Sequence, residues 1–551
     1  MKYFRYIIIV AILAAGIAQV HAQQEEVKVV KPYTPTLSAA EKIQVLPGIG
    51  DSVEYEQPVF EYSIFPRRYE TDYRVIPIEP ARMVKPALDK LYKSEIKMGM
   101  GNYLSPLAEL RINQVRSSKS AFGVNLEHHS MNGQVRLDNK EKVPAGFAEN
   151  KLDFNGKRFY NTSILNYNVG AAYNSYVHYG VDTIYSDSVS RETMNHMFFN
   201  GHAGIGFQSA RPDSMKLQYK AGLQYDFFTH AFEQMEHGIV FDGTLETDVS
   251  GFRVGGDAGL SYFGHQASWD TALTNQFIIK LNPYLSKYSS EWMFLAGINT
   301  YSAITNGEFE PHAYIHGKFS FNIVKEVLVP YFGVDGYLED NSYMKISMEN
   351  PYIVPGTVVR PTNHKMIVYV GLKGKITDYL AWNIKGKYES VGDQYFFVTD
   401  TSGYFNNQFT VRYDDISILN VSGELNIAPT EALRVMLKGN YYDYELSRET
   451  YAWYKPDFDA SLQARYNLGD KILADAGLLV VGPRYYPSLT VDGDPGKLGP
   501  TIDLSMGFEY RYTKLLSFWA KFNNITAQPY YMYYNYPSHR FRLMLGFTYG
   551  L

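Results

Sequence analysis

Residues 502–512 read IDLSMGFEYRY, and residues 541–551 read FRLMLGFTYGL. In both stretches every second residue is apolar or aromatic, and the residues between them are polar, charged or glycine, apart from Met544. A period of two places alternate side chains on opposite faces of a β-strand. Each stretch therefore predicts a strand with one apolar face and one polar face.

The length of these strands separates two interpretations of the alternation. A soluble β-sandwich is the first, but strands of soluble proteins average about five or six residues. A tilted strand that crosses a bilayer needs about nine to eleven residues. The long strands, and an aromatic-rich strand at the end of the sequence, favour an outer-membrane β-barrel.

Alternation of this kind runs through residues 94–551, with tight turns at 377–379 and 469–470. Longer connections rich in Pro, Gly, Asn and Tyr lie between the hairpins, at 340–363, 390–415, 443–456, 483–500 and 524–539. Short periplasmic turns and long outer loops are typical of outer-membrane barrels. The sequence therefore predicts an all-β fold, a large antiparallel transmembrane β-barrel of about 22 strands.

Composition narrows the function classes. Aromatic residues make up 15% of the chain, with 48 Tyr against 5 Trp, and such a surplus suits the two interfacial girdles of a barrel. The net charge of -5 gives no basic footprint for nucleic acid. Cysteine is absent, which excludes disulfides, thiolate metal sites and a cysteine nucleophile.

Residues 1–22 have the pattern of a signal peptide. Lys2 and Arg5 precede an apolar run at 7–17, and Val20-His21-Ala22 forms a small-residue cleavage pattern. A membrane anchor is the alternative, but the apolar run is too short to span a bilayer. The sequence therefore predicts export.

Residues 23–93 form a proline-rich segment that differs from the rest of the chain. Proline at this density blocks helix interiors and central strands, so the segment is predicted to be extended. Its apolar residues, such as those of 59–65, need a surface to lie against. We expect it in the periplasm, docked on a partner or at the mouth of the barrel; a disordered tether is the alternative.

A family resemblance rests on the last hairpin. Phe522-Asn523-Asn524-Ile525, then Pro529-Tyr530-Tyr531, then 536–542 (YPSHRFR) resemble the closing hairpin of TonB-dependent receptors. The turns at 377–380 and 468–471 are similar to the periplasmic turns of the same barrels. The resemblance implies a cell outer-membrane location and a transport role.

The sequence departs from that family before the barrel. Those receptors carry a plug domain, and residues 23–93 are too short and too proline-rich to be recognisable as one. Val27, Val29 and Val30 resemble a TonB box, a strand that pairs with the energy-coupling protein; ordinary extended chain is the alternative. The partners expected from the resemblance are outer-membrane lipid and a periplasmic or TonB-type protein that binds residues 23–93, with no nucleic acid.

Enzyme chemistry finds little support in the sequence. His128 and His129 point to opposite faces of one strand, and His196 and His202 lie far apart along another. The sequence 492–496 (DGDPG) is typical of a turn rather than of a calcium site. We therefore predict a non-enzyme, with no catalytic residues, no metal site and no cofactor.

Charged residues on the inward parity predict a polar lumen that tunes which solutes enter. The alternative is that they solvate the lumen and pair with one another. The predicted lumen-lining residues are Lys365, Lys373, Lys375, Lys385, Lys387, Glu424, Arg434, Lys438, Asp457, Asp459, Arg465, Glu509, Arg511, Arg540 and Arg542.

Two functions are compatible with these features. The first is an outer-membrane transporter or channel of TonB-dependent-receptor type that moves solute through a polar, charged lumen. The second is a barrel subunit that anchors an outer-membrane or periplasmic assembly without transport.

Overall fold

The computed structural model describes residues 92–114, 117–138, 140–181, 194–210, 217–230, 234–267, 275–305, 307–324, 326–403, 405–489 and 493–551. The signal peptide predicted at 1–22, the TonB-box-like Val27, Val29 and Val30, and all but the last two residues of the proline-rich segment 23–93 lie outside the described residues.

The described chain is almost entirely strand. In chain order, the elements are β1 (Ser94–Gly101), β2 (Ser105–Asn113), β3 (Ser120–Arg136), β4 (Lys142–Phe159), β5 (Ser163–Val177), β6 (Asn195–Ser209), β7 (Leu217–His230), β8 (Met235–Val249), β9 (Phe252–Gln266), β10 (Gln276–Tyr288), β11 (Trp292–Thr305), β12 (Glu308–Phe321), β13 (Val329–Glu339), α1 (Tyr343–Glu349), β14 (Thr362–Thr377), β15 (Leu380–Thr399), β16 (Phe409–Ile427), β17 (Leu433–Leu446), β18 (Phe458–Leu468), β19 (Ile472–Val481), β20 (Arg484–Tyr486), β21 (Gly496–Leu498), β22 (Thr501–Arg511), β23 (Leu516–Asn523), β24 (Tyr531–Tyr533), β25 (Tyr536–Pro537) and β26 (Arg542–Gly550).

Twenty-two of these strands form one closed sheet in which each strand pairs with its neighbours in the chain. Strand β1 pairs antiparallel with β2 on one side and with β26 on the other, and this pairing closes the ring. The strands β20 and β21 form a separate hairpin, as do β24 and β25. The prediction of a large antiparallel β-barrel of about 22 strands is therefore confirmed.

Alternation sets the lipid-facing surface as predicted. Val370 and Ile384 are 63% and 54% exposed, and Leu462 belongs to the same outward band. Leu462 of β18 lies opposite Leu437 of β17 and Leu478 of β19, so apolar side chains continue from strand to strand. A continuous apolar band is what hydrocarbon requires of a barrel wall.

The last hairpin depends on Asn524. This residue has a φ of 46°, in the left-handed region that asparagine tolerates better than most residues. Its buried side-chain amide donates to the carbonyl oxygens of Gln528 and His539, at 2.8 and 3.1 Å. The motif that carried the family resemblance thus fixes how the chain leaves β23 and enters the last outer loop.

Several predicted outer loops contain regular structure. Strands β15 and β16 extend to Thr399 and back from Phe409, so the predicted connection 390–415 shrinks to 400–408. Loop 340–361 contains α1, which begins after Ser342, whose hydroxyl accepts from the Lys345 amide at 3.1 Å. In the described part of the chain, no helix is long and apolar enough to cross a membrane.

The first prediction tests the wall. Leu462→Arg places a charge on the lipid face and is expected to cost about 2–4 kcal/mol of barrel stability near the midplane. Gln463→Arg, the matched control on the adjacent inward residue, is expected to cost much less. The fraction of folded barrel, measured by heat-modifiable mobility in gels, checks this prediction. Equal losses of folded barrel from both changes would contradict the assigned faces.

The second prediction tests orientation. The chain has no cysteine, so single introduced thiols report their own position. A membrane-impermeant maleimide on intact cells is expected to label Asp494→Cys in a long loop and not Asp378→Cys in a short turn. Labelling in the opposite pattern would invert the barrel.

Candidate functional site

Several of the predicted lumen charges lie in ion pairs, some across strands and some within one strand. Glu424 and Lys438 approach to 3.6 Å, and Arg465 donates through Nε to Asp475 at 2.6 Å. Lys387 donates to Glu389 at 2.5 Å. Each of these charges is therefore neutralised by a neighbouring residue.

The other predicted residues have diverse surroundings. Lys365 lies at a bulge, where alternation does not set its face, and binds Asp415, while Lys375 pairs with Glu326 near a short turn and Arg511 approaches Glu509. Lys373 lies over the Tyr331 ring, Asp459 accepts from the Asn440 side chain, and Lys385 lies opposite Gly371 in the ladder. Asp457 follows the loop after β17 and accepts through its carbonyl from the Tyr442 amide, whereas Arg540 precedes β26 and Arg542 begins it opposite Asn523. Their role in solute passage stays a prediction.

A cavity of about 810 Å³ lies in the lumen at the short-turn end. Arg434, Arg465, Asp475 and Lys521 contribute charged groups to its lining. Asp378 of the turn between β14 and β15 also lines it, so the cavity lies at the end that the short turns predict to face the periplasm. This is the part of the lumen in which a polar solute or a periplasmic segment of chain has room.

A buried polar network joins loop 340–361 to the inner wall. The His364 imidazole contacts Glu389 at 2.5 Å through Nδ1 and Glu339 at 3.3 Å through Nε2. Lys345 of α1 donates to Glu339 at 2.6 Å and to the Asn341 side chain at 2.7 Å. The loop is therefore fastened to strands β13, β14 and β15 by charge-assisted bonds.

A second attachment comes from β8. The buried carboxylate of Glu236 accepts from the backbone N–H groups of Tyr343 and Met344, at 2.6 and 3.1 Å. These are free donors at the start of α1, and a carboxylate is their natural partner. Sequence reasoning missed both attachments, since Glu236 lies 107 positions before Tyr343 and His364 lies 25 positions from both Glu339 and Glu389.

The outer loops meet in one apolar cluster, here called the cap. The Tyr352 and Tyr536 rings stack at 3.8 Å, and Tyr179 packs edge-on against Tyr536 at 4.9 Å. Tyr533 contacts the rings of Phe409 and Tyr454 at 5.1 and 5.3 Å. These aromatic residues come from five outer-end segments of the barrel, so the cap is a small core built from many connections.

The cap reaches across the barrel. The Asn407 side chain, between β15 and β16, donates to the carbonyl of His178, between β5 and β6, at 2.7 Å. These two connections are about ten strands apart in the ring of 22, almost opposite each other. The Tyr536 hydroxyl, from the last loop, donates to the Asn407 carbonyl. Loops from opposite sides of the barrel therefore meet over its outer mouth.

Three histidines from successive strand ends stack beneath the cap. The rings of His178 and His196 are parallel, with centroids 3.4 Å apart, and His196 Nδ1 lies 3.2 Å from His230 Nε2. Burial, and secondly the neighbouring imidazoles, hold the pKa of His178 well below its ordinary value. The part of the chain that the structure describes contains no group of three or more acidic, histidine or cysteine side chains able to hold a metal.

Comparison with known proteins identifies the fold. No family model matches the chain, and no curated protein matches it either. Solved structures do. The iron transporter FrpB of Neisseria meningitidis superposes with a TM-score of 0.65 at 8% identity, covering 84% of this chain and 82% of that one. The siderophore receptor PirA of Acinetobacter baumannii gives 0.64 at 8%, covering 84% and 81%.

The ferric-catecholate import receptor Fiu of E. coli K12 gives 0.60 at 10% identity, covering 84% of this chain and 82% of that one. At such identities the likeness establishes the fold. The resemblance to TonB-dependent receptors is thereby confirmed for the barrel, and the similar structures are transport receptors rather than enzymes.

The third prediction concerns pH. A buried neutral histidine must gain a proton on exposure, so the cap loses stability as the pH falls below about 6.5, the ordinary value. For His178 alone the loss is expected to approach 1.4 kcal/mol per pH unit. Hydrogen exchange of the amides in 340–361 between pH 7.5 and 5 measures it.

His178→Gln is expected to flatten this pH dependence, whereas His128→Gln, on β3 outside the stack, leaves it unchanged. A cap whose exchange rates respond equally to pH in all three chains would show that other groups control its acid stability.

Proposed function

We propose that the chain is an outer-membrane transporter of TonB-dependent-receptor type in which solute moves through the polar lumen. The observation that carries the proposal is the cap, in which loops from opposite sides of the barrel meet over the outer mouth. A barrel of about 22 strands encloses far more space than its own wall side chains fill. A closed outer mouth above a polar lumen suits a gated receptor better than an open porin.

The lumen charges support passage of a polar solute. Paired charges such as Glu424 with Lys438 can exchange partners with a passing ligand without leaving a charge unsatisfied. The cavity lined by Arg434, Arg465, Asp475 and Lys521 provides both signs at the periplasmic end. The substrate proposed is therefore a polar solute able to bind both signs of charge.

Energy coupling is part of the proposal. A TonB-type partner would bind residues 23–93, with Val27, Val29 and Val30 as the strand that pairs with it. The same segment would restrict the periplasmic end of the lumen. Support comes from the barrel type, which this chain shares with the receptors of similar structure.

The anchoring function has an observation of its own. The cap is a packed aromatic core whose loop 340–361 is fastened by Glu236 and by Glu339, and such a core also suits a permanently closed barrel. In that case the rim and residues 23–93 would hold partners, and no solute would pass.

The fourth prediction separates the two functions by conductance in planar bilayers. Tyr352→Ala with Tyr536→Ala removes the stacked pair of the cap and is expected to raise conductance well above that of the unaltered chain. Deleting residues 25–90 in that background is expected to raise it further, since the segment restricts the other end. Phe508→Ala with Phe522→Ala, an aromatic pair on the wall, is the matched control and should change nothing.

Equal conductance with and without residues 25–90 would show that the segment is no gate. If no variant conducts although all are folded barrels, the anchoring function replaces transport.

A further inference from the structure

The wall is incompletely paired between β12 and β13. Strand β12 forms fourteen residue pairs with β11, but only four with β13, Gly317–Ser320 against Tyr331–Val334. Over Glu308–His316, all of it described, β12 has a ladder partner only in β11. An unpaired strand edge is costly in hydrocarbon, so this seam is the weakest line in the ring.

Side chains bridge the seam where the backbone does not. The Tyr314 ring crosses β13 at Gly336, where a Cβ atom would lie 2.8 Å from the Tyr314 side chain. Its hydroxyl reaches Asn363 of β14 at 2.7 Å. The Tyr314 side chain thus joins β12 to β14 across β13.

A second bridge lies lower in the wall. His316 of β12 contacts the Asp335 carboxylate of β13 at 2.9 Å. Asn299 of β11 donates to the same carboxylate at 3.0 Å and to the Gly336 carbonyl at 2.9 Å. Both bridges consist of side-chain hydrogen bonds, each of which contributes only about 1 kcal/mol net.

The seam separates lipid from a cavity in the lumen. Ile315 and Phe309 of β12 are 70% and 62% exposed on the outer surface beside it. On the inner side, Asn299, His316 and Asp335 line a polar cavity of about 410 Å³, together with Asn282 of β10. The residues of the second bridge therefore also line the cavity.

We propose that the wall opens laterally at this seam and admits an amphipathic molecule of the outer leaflet, its polar head in the cavity and its apolar part in the bilayer. The position of the opening indicates the chemistry of the ligand. An opening between hydrocarbon and a polar cavity suits a molecule that has a polar head and an apolar part. The proposal gives a route for a transported solute, and in that respect it rests on the proposed transport function.

The test uses the full-length protein in liposomes and reads opening of the wall rather than transport. Asn282→Cys introduces the only thiol into the cavity. A phospholipid whose headgroup carries a maleimide reacts with this thiol only if the headgroup passes through the wall. Tyr314→Phe removes the upper bridge, and the labelling rate is expected to rise about fivefold, the effect of one lost hydrogen bond.

The barrel offers a matched control. Tyr331 of β13 crosses β14 at Gly371 and donates to Asn383 of β15, also at 2.7 Å, but over strands whose ladders are long. Tyr331→Phe removes the same kind of bond and is expected to leave labelling unchanged. Asn363→Ala removes the acceptor of the Tyr314 hydroxyl and should raise labelling as Tyr314→Phe does. It provides the same test should Tyr314→Phe insert poorly.

Labelling by the lipid reagent in none of the chains, or at one rate in all of them, overturns the lateral route. A rise seen only with a water-soluble maleimide also overturns it, since the cavity then opens to the lumen and not to lipid. Conductance of the cap variants is independent of this seam, so the transport proposal and the lateral route can fail separately.

Discussion

The structure depends on one constraint: inside hydrocarbon each backbone N–H and C=O group needs a partner within the protein. Strands of alternating polarity meet this constraint only when the sheet closes, and the pairing of β1 with both β2 and β26 closes it. The closing strands are short, eight or nine residues, and Asn524 fixes the turn that brings β26 back to β1. The outer loops and the cap all extend from the strands of that ring. At the β12–β13 seam the ladder covers only four residue pairs, and side-chain hydrogen bonds bridge the strands beyond it.

The sequence predicted the wall well because lipid makes a simple demand on every second residue. That demand ends at the membrane surface. Tyr395, Phe396, Phe397 and Val398 are all buried, because loops cover both faces of β15 there, and the period of two disappears. The strand extensions, α1 and the cap were therefore invisible to an argument from alternation. What determines them is contact between residues hundreds of positions apart, such as His178 with Asn407.

The charges show a related division. Parity placed Glu424 and Lys438 on one face, but only the register of β16 against β17 makes them neighbours. At Lys365 a bulge between His364 and Met366 breaks the alternation, so parity gives no face there. The histidine stack is a third case, since its rings come from three strand ends that the sequence keeps apart. Residue type and period thus predict a surface, whereas pairing and function depend on register.

The size of the cap limits how the outer mouth opens. About 1.5–3 kcal/mol is gained by burying each large apolar side chain. The cap buries more than a dozen, among them Tyr343, Ile346, Ile353, Phe396 and Phe409. Exposing them together would cost tens of kcal/mol, far beyond thermal fluctuation and beyond the binding energy of an ordinary ligand. If a solute passes as proposed, a few loops are displaced at a time, or work from the periplasm reaches the bonds that fasten loop 340–361 to the wall. Those bonds come from Glu236 of β8 and from Glu339 of β13, which accepts from Lys345. The bridges of the β12–β13 seam use other residues, so the cap and the seam are held by separate contacts.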